Sequence, residues 1–315
     1  FLMAAEGGTS VNHSEVILRS KSPMGPYKAW DKNPILTQRH LDPKRSEPIT
    51  CAGHADLIQT REGDWWSVFL ACRPINGIFE NLGRETFLMP VKWSEDGFPY
   101  MTQGDDLVPL VLKKEGISRM PNPTFGNFEI KENFDSTALG LNWVTLRTPA
   151  TDMYSLTANP GYLTLKCTEV ATSEGNKTPA FVCRRMQHHQ FECSTIMYFV
   201  PSDEKEAAGL LLYKDETHQY FLSVNKSGAS RKVSLNKISE SGSETIATNT
   251  ITNNNDAILL KVVSKGTHYD FFYGIDEKPI KFLAEKVDAQ YLSTANSFGF
   301  TGTTIGMYTT KNFPL

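Results

Sequence analysis

Apolar residues in this chain fall into short runs separated by turn residues, and no run sustains a helical period. The first run, Phe1-Leu2-Met3-Ala4-Ala5, carries Glu6 and stops at Gly7-Gly8. This pattern predicts a buried strand ending in a turn, with Glu6 at the strand mouth. A carboxyl half withdrawn from water has a raised pKa and can hold a proton to donate. The plainer reading is a strand-end Glu paired with a nearby Lys or Arg. Val11–Ser20 predicts a second strand, and Asn33–Thr37 a short strand or extended loop. Cys51–Thr60, the turn Arg61–Asp64 and Trp65–Pro74 predict a hairpin, and Asn81–Val91 a further strand. Short strands with regularly spaced turns predict a sandwich, barrel or propeller for this first region.

Leu110–Pro123 carries the polar Lys113-Lys114-Glu115-Gly116 and then Pro121-Asn122-Pro123, which disfavours regular structure, and predicts a linker. The domains are accordingly drawn at 1–124 and 125–315. Strands are expected in the second region at Phe128–Lys131, Tyr162–Lys166, Ala180–Arg185, Phe191–Phe199 and Gly209–Tyr213. Others are expected at Tyr220–Asn225, Lys232–Ile238, Ala257–Val263, Tyr269–Tyr273 and Thr304–Tyr308. So many strands without a helix predict a two-sheet antiparallel sandwich. The fold class is all-β.

Composition narrows the function. At 315 residues the chain is long enough for two domains with sizeable cores. A net charge of -3 with near-balanced acids and bases gives no nucleic-acid surface and no polybasic membrane patch. No apolar stretch has the length of a membrane-spanning helix. Cys51, Cys72, Cys167, Cys183 and Cys193 form neither a disulfide framework nor a CxxC zinc pair. Most of them read as buried small hydrophobes, and they leave the compartment open. The chain starts inside a strand-like run without an initiator Met, so it is expected to be part of a longer polypeptide.

Several residues have the chemistry of a site. His54, between Gly53 and Ala55-Asp56, is a candidate ligand or hydrogen-bonding group, against the plainer reading of a satisfied core or turn histidine. Arg84, between Gly83 and Glu85, can present a fork of donors to sugar hydroxyls, or can simply pair with Glu85. Trp65, Trp66 and Trp93 could stack on sugars, but at least two are expected to serve as core packing. There is no G-x-S-x-G and no phosphate loop. A carboxylate-dependent hydrolase conflicts least with the residues present.

Together these stretches resemble a known family. Ala5-Glu6-Gly7-Gly8-Thr9, His13, Arg19-Ser20 and Gly25-Pro26-Tyr27 resemble the general-acid region of family 43 glycoside hydrolases. Gly53-His54-Ala55-Asp56-Leu57, Trp65-Trp66, Arg73-Pro74 and Gly83-Arg84-Glu85-Thr86-Phe87 follow in that family's order. Leu146-Arg147-Thr148-Pro149, Tyr154-Ser155-Leu156 and Gly299-Phe300-Thr301-Gly302 resemble the β-sandwich of its two-domain β-xylosidase branch.

The resemblance implies part of a five-bladed β-propeller followed by a concanavalin-like sandwich. It implies inverting, exo-acting hydrolysis of xylo-oligosaccharides or arabinose-decorated xylans. Glu6 matches the general acid and Arg84 the sugar-binding arginine. His54 matches a histidine near the propeller axis that is linked to a calcium ion or a water. Phe300 lies in a sandwich loop that narrows the site mouth. No organic cofactor is implied, and sandwich-mediated homo-oligomers are in keeping with the branch. The family's base Asp and its acid-orienting Asp both precede the position of Glu6, and nothing here corresponds to them. Asp56 and Asp64 stand in the wrong motif context. An upstream propeller segment is therefore expected to complete the ring. The competing expectation is a non-catalytic carbohydrate-binding or scaffold fragment.

Overall fold

The computed structural model describes residues 1–116, 128–252, 255–276 and 278–313. The chain forms two compact units, Phe1–Met120 and Pro121–Leu315. The expected boundary at 124/125, with Pro121-Asn122-Pro123, lies outside the described residues.

In the first unit, β1 (Leu2–Glu6), β2 (Ser14–Arg19), β3 (Lys28–Ala29) and β4 (Leu36–Thr37) make one antiparallel sheet with β2 at its centre. A second sheet joins β5 (Thr50–Gln59), β6 (Trp65–Cys72) and β7 (Glu85–Pro90), and β8 (Lys92–Trp93) pairs with β9 (Pro99–Tyr100). Ile17, Ile35, Leu36, Ala52, Phe69 and Met101 are buried together as its core. The strand predicted at the start of the chain is present, but it is not buried. β1 is an edge strand, paired only with β2, and Phe1, Leu2 and Glu6 are exposed. An apolar run gives burial only when a neighbour covers both its faces.

The tryptophans also differ from expectation. Trp65 and Trp66 are half-buried, Trp93 is 44% exposed, and Trp65 meets Trp93 edge to face at 5.6 Å. The core tryptophan is Trp30, stacked on Phe98 at 5.5 Å, with its indole N–H donating to Asp96 Oδ2 at 3.1 Å. A buried indole needs such a partner, and Trp30 has one in Asp96.

In the second unit, β10 (Val144–Thr145) opens the chain of strands and β11 (Tyr154–Ser155) pairs with β12 (Thr164–Leu165). β13 (Ala180–Arg185), β14 (Gln190–Met197), β15 (Ala207–Asp215), β16 (His218–Ser227) and β17 (Ser230–Ser239) follow. β18 (Gly242–Ile251), β19 (Ile258–Lys265), β20 (His268–Ile275), β21 (Lys281–Asp288) and β22 (Thr304–Thr310) complete it, with one 3₁₀ turn at Gln290–Leu292. A seven-stranded sheet runs β10-β13-β22-β15-β16-β17-β18, and a four-stranded sheet runs β14-β19-β20-β21, all antiparallel. Leu210, Leu212 and Tyr220 of the larger sheet pack with Leu260, Val262 and Phe271 of the smaller. Leu211, Tyr213 and Phe221 point the other way into a second cluster with Phe181, Tyr308 and Phe313. The uninterrupted Leu210-Leu211-Leu212 run is thus explained: this sheet is covered on both faces. Phe128–Lys131, expected as a strand, is not one. Among the described residues no helix is long and apolar enough to cross a membrane.

Candidate active site

The site in the first unit is organised by two turns. Gly7 and Gly8 both have positive φ (78° and 80°), and a Cβ on Gly7 would lie 2.0 Å from the Asn12 carbonyl oxygen, so only glycine closes the β1–β2 turn. Glu6 ends β1 opposite Ser14. Its carboxylate is half-exposed and pairs with Arg39 at 3.4 Å, as the plainer reading anticipated. Arg39 also reaches Ser14 Oγ at 3.5 Å.

The second turn is the loop between β6 and β7. It bends at Gly83 (φ 66°) and delivers Arg84, whose Nη2 donates to the Thr9 carbonyl at 2.7 Å. Glu85 is not Arg84's partner. Arg73 holds it by a bidentate pair at 2.6 and 2.9 Å, so the simple Arg84–Glu85 ion pair is replaced by a different one.

His54 owes its position to two bulges. Thr50 faces Cys72, Gly53 faces Leu70 and Asp56 faces Val68, so β5 gains one residue on β6 at each step. The residues taking up the extra length, Cys51 and His54, both have φ 56°. Left-handed backbone is uncommon without glycine and clusters at functional sites. His54 is exposed as a result, and is not a core histidine.

The buried histidine is His13, whose Nδ1 lies 3.0 Å from the Cys51 carbonyl oxygen. Burial holds its pKa below the ordinary value, with the Arg84 and His54 charges acting in the same sense. Gly53 packs on its ring so closely that a Cβ there would be 2.8 Å from Nε2. Beside it Glu15 is 3% exposed, and its Oε2 accepts the Ala55 amide at 3.0 Å. Burial pushes the Glu15 pKa up, while hydrogen bonds from the Ala55 and His54 amides oppose that. Sequence reasoning passed over Glu15. Its signal was a lone carboxylate in the otherwise apolar Val16-Ile17-Leu18 strand, which a buried partner must explain.

The structure therefore gathers His13, Glu15, His54 and Arg84 around the turn that follows Glu6. Phe300 belongs to the second unit, where it is half-exposed. Its loop is anchored by Lys214, the bulged residue between Tyr213 and Asp215, which is buried and donates to the Thr301 carbonyl at 2.5 Å and Thr294 Oγ1 at 3.1 Å.

The fit of a calcium ion at His54 can be tested on the donors. Calcium takes about six to eight oxygen ligands. Among the described residues, no group of three His, Cys, Asp or Glu ligand atoms converges on His54. These residues alone do not form a calcium cage.

Comparison with known proteins follows this geometry. Residues 131–314 match the beta xylosidase C-terminal concanavalin A-like domain, and residues 1–99 match glycosyl hydrolases family 43. The chain is 34% identical to the non-reducing end alpha-L-arabinofuranosidase BoGH43B of Bacteroides ovatus, over 99% of this chain and 57% of that protein. It is 32% identical to a xylosidase/arabinosidase of Butyrivibrio fibrisolvens, over 99% of this chain and 59% of that protein. Among solved structures it resembles GH43B of the Bacteroides ovatus xyloglucan locus with a TM-score of 0.89 and 34% identity, over 98% of this chain and 59% of that one. The chain thus spans less than two thirds of the relatives it matches. An all-β architecture of propeller-type sheets followed by a concanavalin-like sandwich agrees with all of them. On this evidence the chain belongs to glycoside hydrolase family 43.

Proposed function

We propose that the chain is the C-terminal part of an inverting, exo-acting glycosidase that cuts xylose or arabinofuranose from xylan-derived oligosaccharides. The observation that carries this reading is the Arg84–Thr9 bond at 2.7 Å, which ties a fork of sugar-binding donors to the turn leaving Glu6. Glu6 is the general acid. It protonates the glycosidic oxygen as the bond to the anomeric carbon breaks, and its half-exposed position lets solvent return the proton. Arg84 holds ring hydroxyls, and His54 lies on the exposed side of the same strand mouth. Inversion needs a second carboxylate about 6.5–9.5 Å away to activate water. Asp64 pairs with Lys114 at the β5–β6 turn and is not free for that role.

The base is assigned to an upstream segment that also completes the propeller. Exposed apolar side chains support this: Phe1 and Leu2 on the β1 edge, and Leu88 on the β7 edge, are each about half exposed. Open strand edges with apolar side chains are pairing surfaces. A calcium ion linked to His54 would be carried through water, and no step depends on it.

The test is hydrolysis of p-nitrophenyl β-D-xyloside and p-nitrophenyl α-L-arabinofuranoside by the purified protein, with its intact mass and a Glu6→Gln control. Slower turnover in the control, with a larger loss on xylobiose than on either nitrophenyl glycoside, supports the assignment, and the preferred glycoside names the sugar. No turnover by protein that includes the upstream segment would overturn it in favour of a carbohydrate-binding role.

A further inference from the structure

We propose that Cys51, Cys72 and Glu80 form a binding site for a thiophilic divalent cation of the zinc class. The two thiols come from different strands and the carboxylate from the loop after β6. Their ligand atoms all lie within 4.8 Å of one another, and no other such group occurs among the described residues. A tetrahedral zinc with bonds to sulfur of about 2.3 Å sets its sulfurs roughly 3.8 Å apart, so a contraction of at most about an ångström suffices. Cys51 and Cys72 are 3% and 1% exposed, while Glu80 is half-buried. The soft ligands are thus buried and the hard ligand lies nearer solvent, and a tetrahedral ion would take its fourth ligand from water.

The bulge explains why the thiols meet. Thr50 is the aligned partner of Cys72, and the extra residue Cys51, turned into left-handed backbone, is the one that converges with it. The Cys51 thiol donates to Glu80 Oε1 at 3.2 Å, so the carboxylate is already oriented at the sulfur. Binding exchanges two S–H protons for two metal–sulfur bonds, and both protons pass to solvent, with Glu80 on their way out. Affinity should therefore rise with pH.

The site also has a consequence for the mouth of β5. The Cys51 carbonyl is hydrogen-bonded to His13, and the Glu80 carbonyl accepts from Gly83, the residue before Arg84. An ion there clamps the Arg84 loop to the bulged strand.

Cobalt(II) is the probe. One equivalent added to the reduced chain should give the near-ultraviolet thiolate-to-cobalt band and the visible bands of a tetrahedral ion, and zinc should bleach them. Cys51→Ser and Cys72→Ser should abolish the bands, Glu80→Gln should weaken binding at least tenfold, and Cys167→Ser should change nothing. If the cysteine variants fold poorly, alkylation of the unsubstituted chain decides: zinc should slow labelling of Cys51 and Cys72 but not of Cys167. Absence of the band in reduced protein, its survival in both cysteine variants, or zinc-independent labelling would overturn the site. None of these readouts requires hydrolysis, so the site and the hydrolase reading fail separately.

Discussion

Arg84 donates to the carbonyl oxygen of Thr9 at 2.7 Å, joining two loops far apart in the sequence. This bond fixes the turn after Glu6, and the proposed sugar contact would be a second duty of the same guanidinium. A lysine has neither the planar fork nor the reach to do both. Arg84→Lys should therefore raise KM for p-nitrophenyl glycosides by about 10- to 100-fold, the equivalent of one charged hydrogen bond or two. Glu85→Gln, which weakens the neighbouring Arg73 pair, should cost stability more than KM. Equal KM effects from the two substitutions would remove Arg84 from the sugar site.

General-acid assistance matters most when the leaving group is poor. Glu6→Gln should slow hydrolysis of xylobiose or an arabinose-decorated oligosaccharide by about 10²- to 10⁴-fold. The loss on a p-nitrophenyl glycoside should be smaller, because nitrophenolate leaves without a proton. Proton NMR of the first-formed sugar checks the companion claim, since inversion gives the opposite anomer. A uniform loss on both substrates would make Glu6 a structural residue.

Gly53→Ala places a Cβ against the His13 ring, 2.8 Å from Nε2, at a position with no conformational need for glycine. The ring must move, at a cost of about 1–3 kcal/mol. Urea unfolding followed by tryptophan fluorescence suits this measurement, because four of the five tryptophans, Trp30, Trp65, Trp66 and Trp93, lie in the first unit. His13→Ala should restore much of the loss in the double variant. Full additivity would mean that the ring is not what meets the methyl group.

The two buried titrating groups act in opposite senses. Burial lowers the His13 pKa, so the folded chain keeps it neutral while the unfolded chain takes up a proton. That contribution is fully present above the ordinary histidine range and is lost as pH falls through it. Burial raises the Glu15 pKa, so its contribution is present below the ordinary glutamate range and is lost as pH rises toward the raised value. Relative to the parent chain, His13→Asn should gain stability toward pH 5, and Glu15→Gln should gain toward pH 7. Urea midpoints across that interval test both signs.

Lys214→Met removes the two hydrogen bonds that seat the Phe300 loop. Amide hydrogen exchange at residues 294–303 should quicken by about tenfold or more while the neighbouring strands keep their protection. Unchanged exchange would mean that packing alone holds the loop.

Much of the architecture could be read from the sequence, for identifiable reasons. β13 was legible to the residue, because Ala180–Arg185 is an apolar run between turn residues. β18 and β21 were passed over, because they are edge strands with mostly polar or exposed side chains that lack a hydrophobic signature. The motifs named Glu6, His54 and Arg84 but said nothing of the bulges or of Arg73's claim on Glu85. Cys51 and His54 take left-handed backbone without being glycine, so no residue type announces it. The thiol pair was invisible for the same reason, since it depends on where a bulge turns one side chain.

The bulges of β5 also carry a rule of parity. From Thr50 to Asp56 the strand advances six residues while β6 advances four, from Cys72 to Val68. Both counts are even, and side chains alternate with period two, so the ends of β5 keep the faces a regular strand would give them. Each bulge absorbs its own extra residue, so deleting one would restore a regular ladder at that place and leave the pairing of Asp56–Gln59, and the faces of those side chains, as they are. The two bulges are separate units of length: Cys51 can be lost without moving His54, and His54 without moving Cys51.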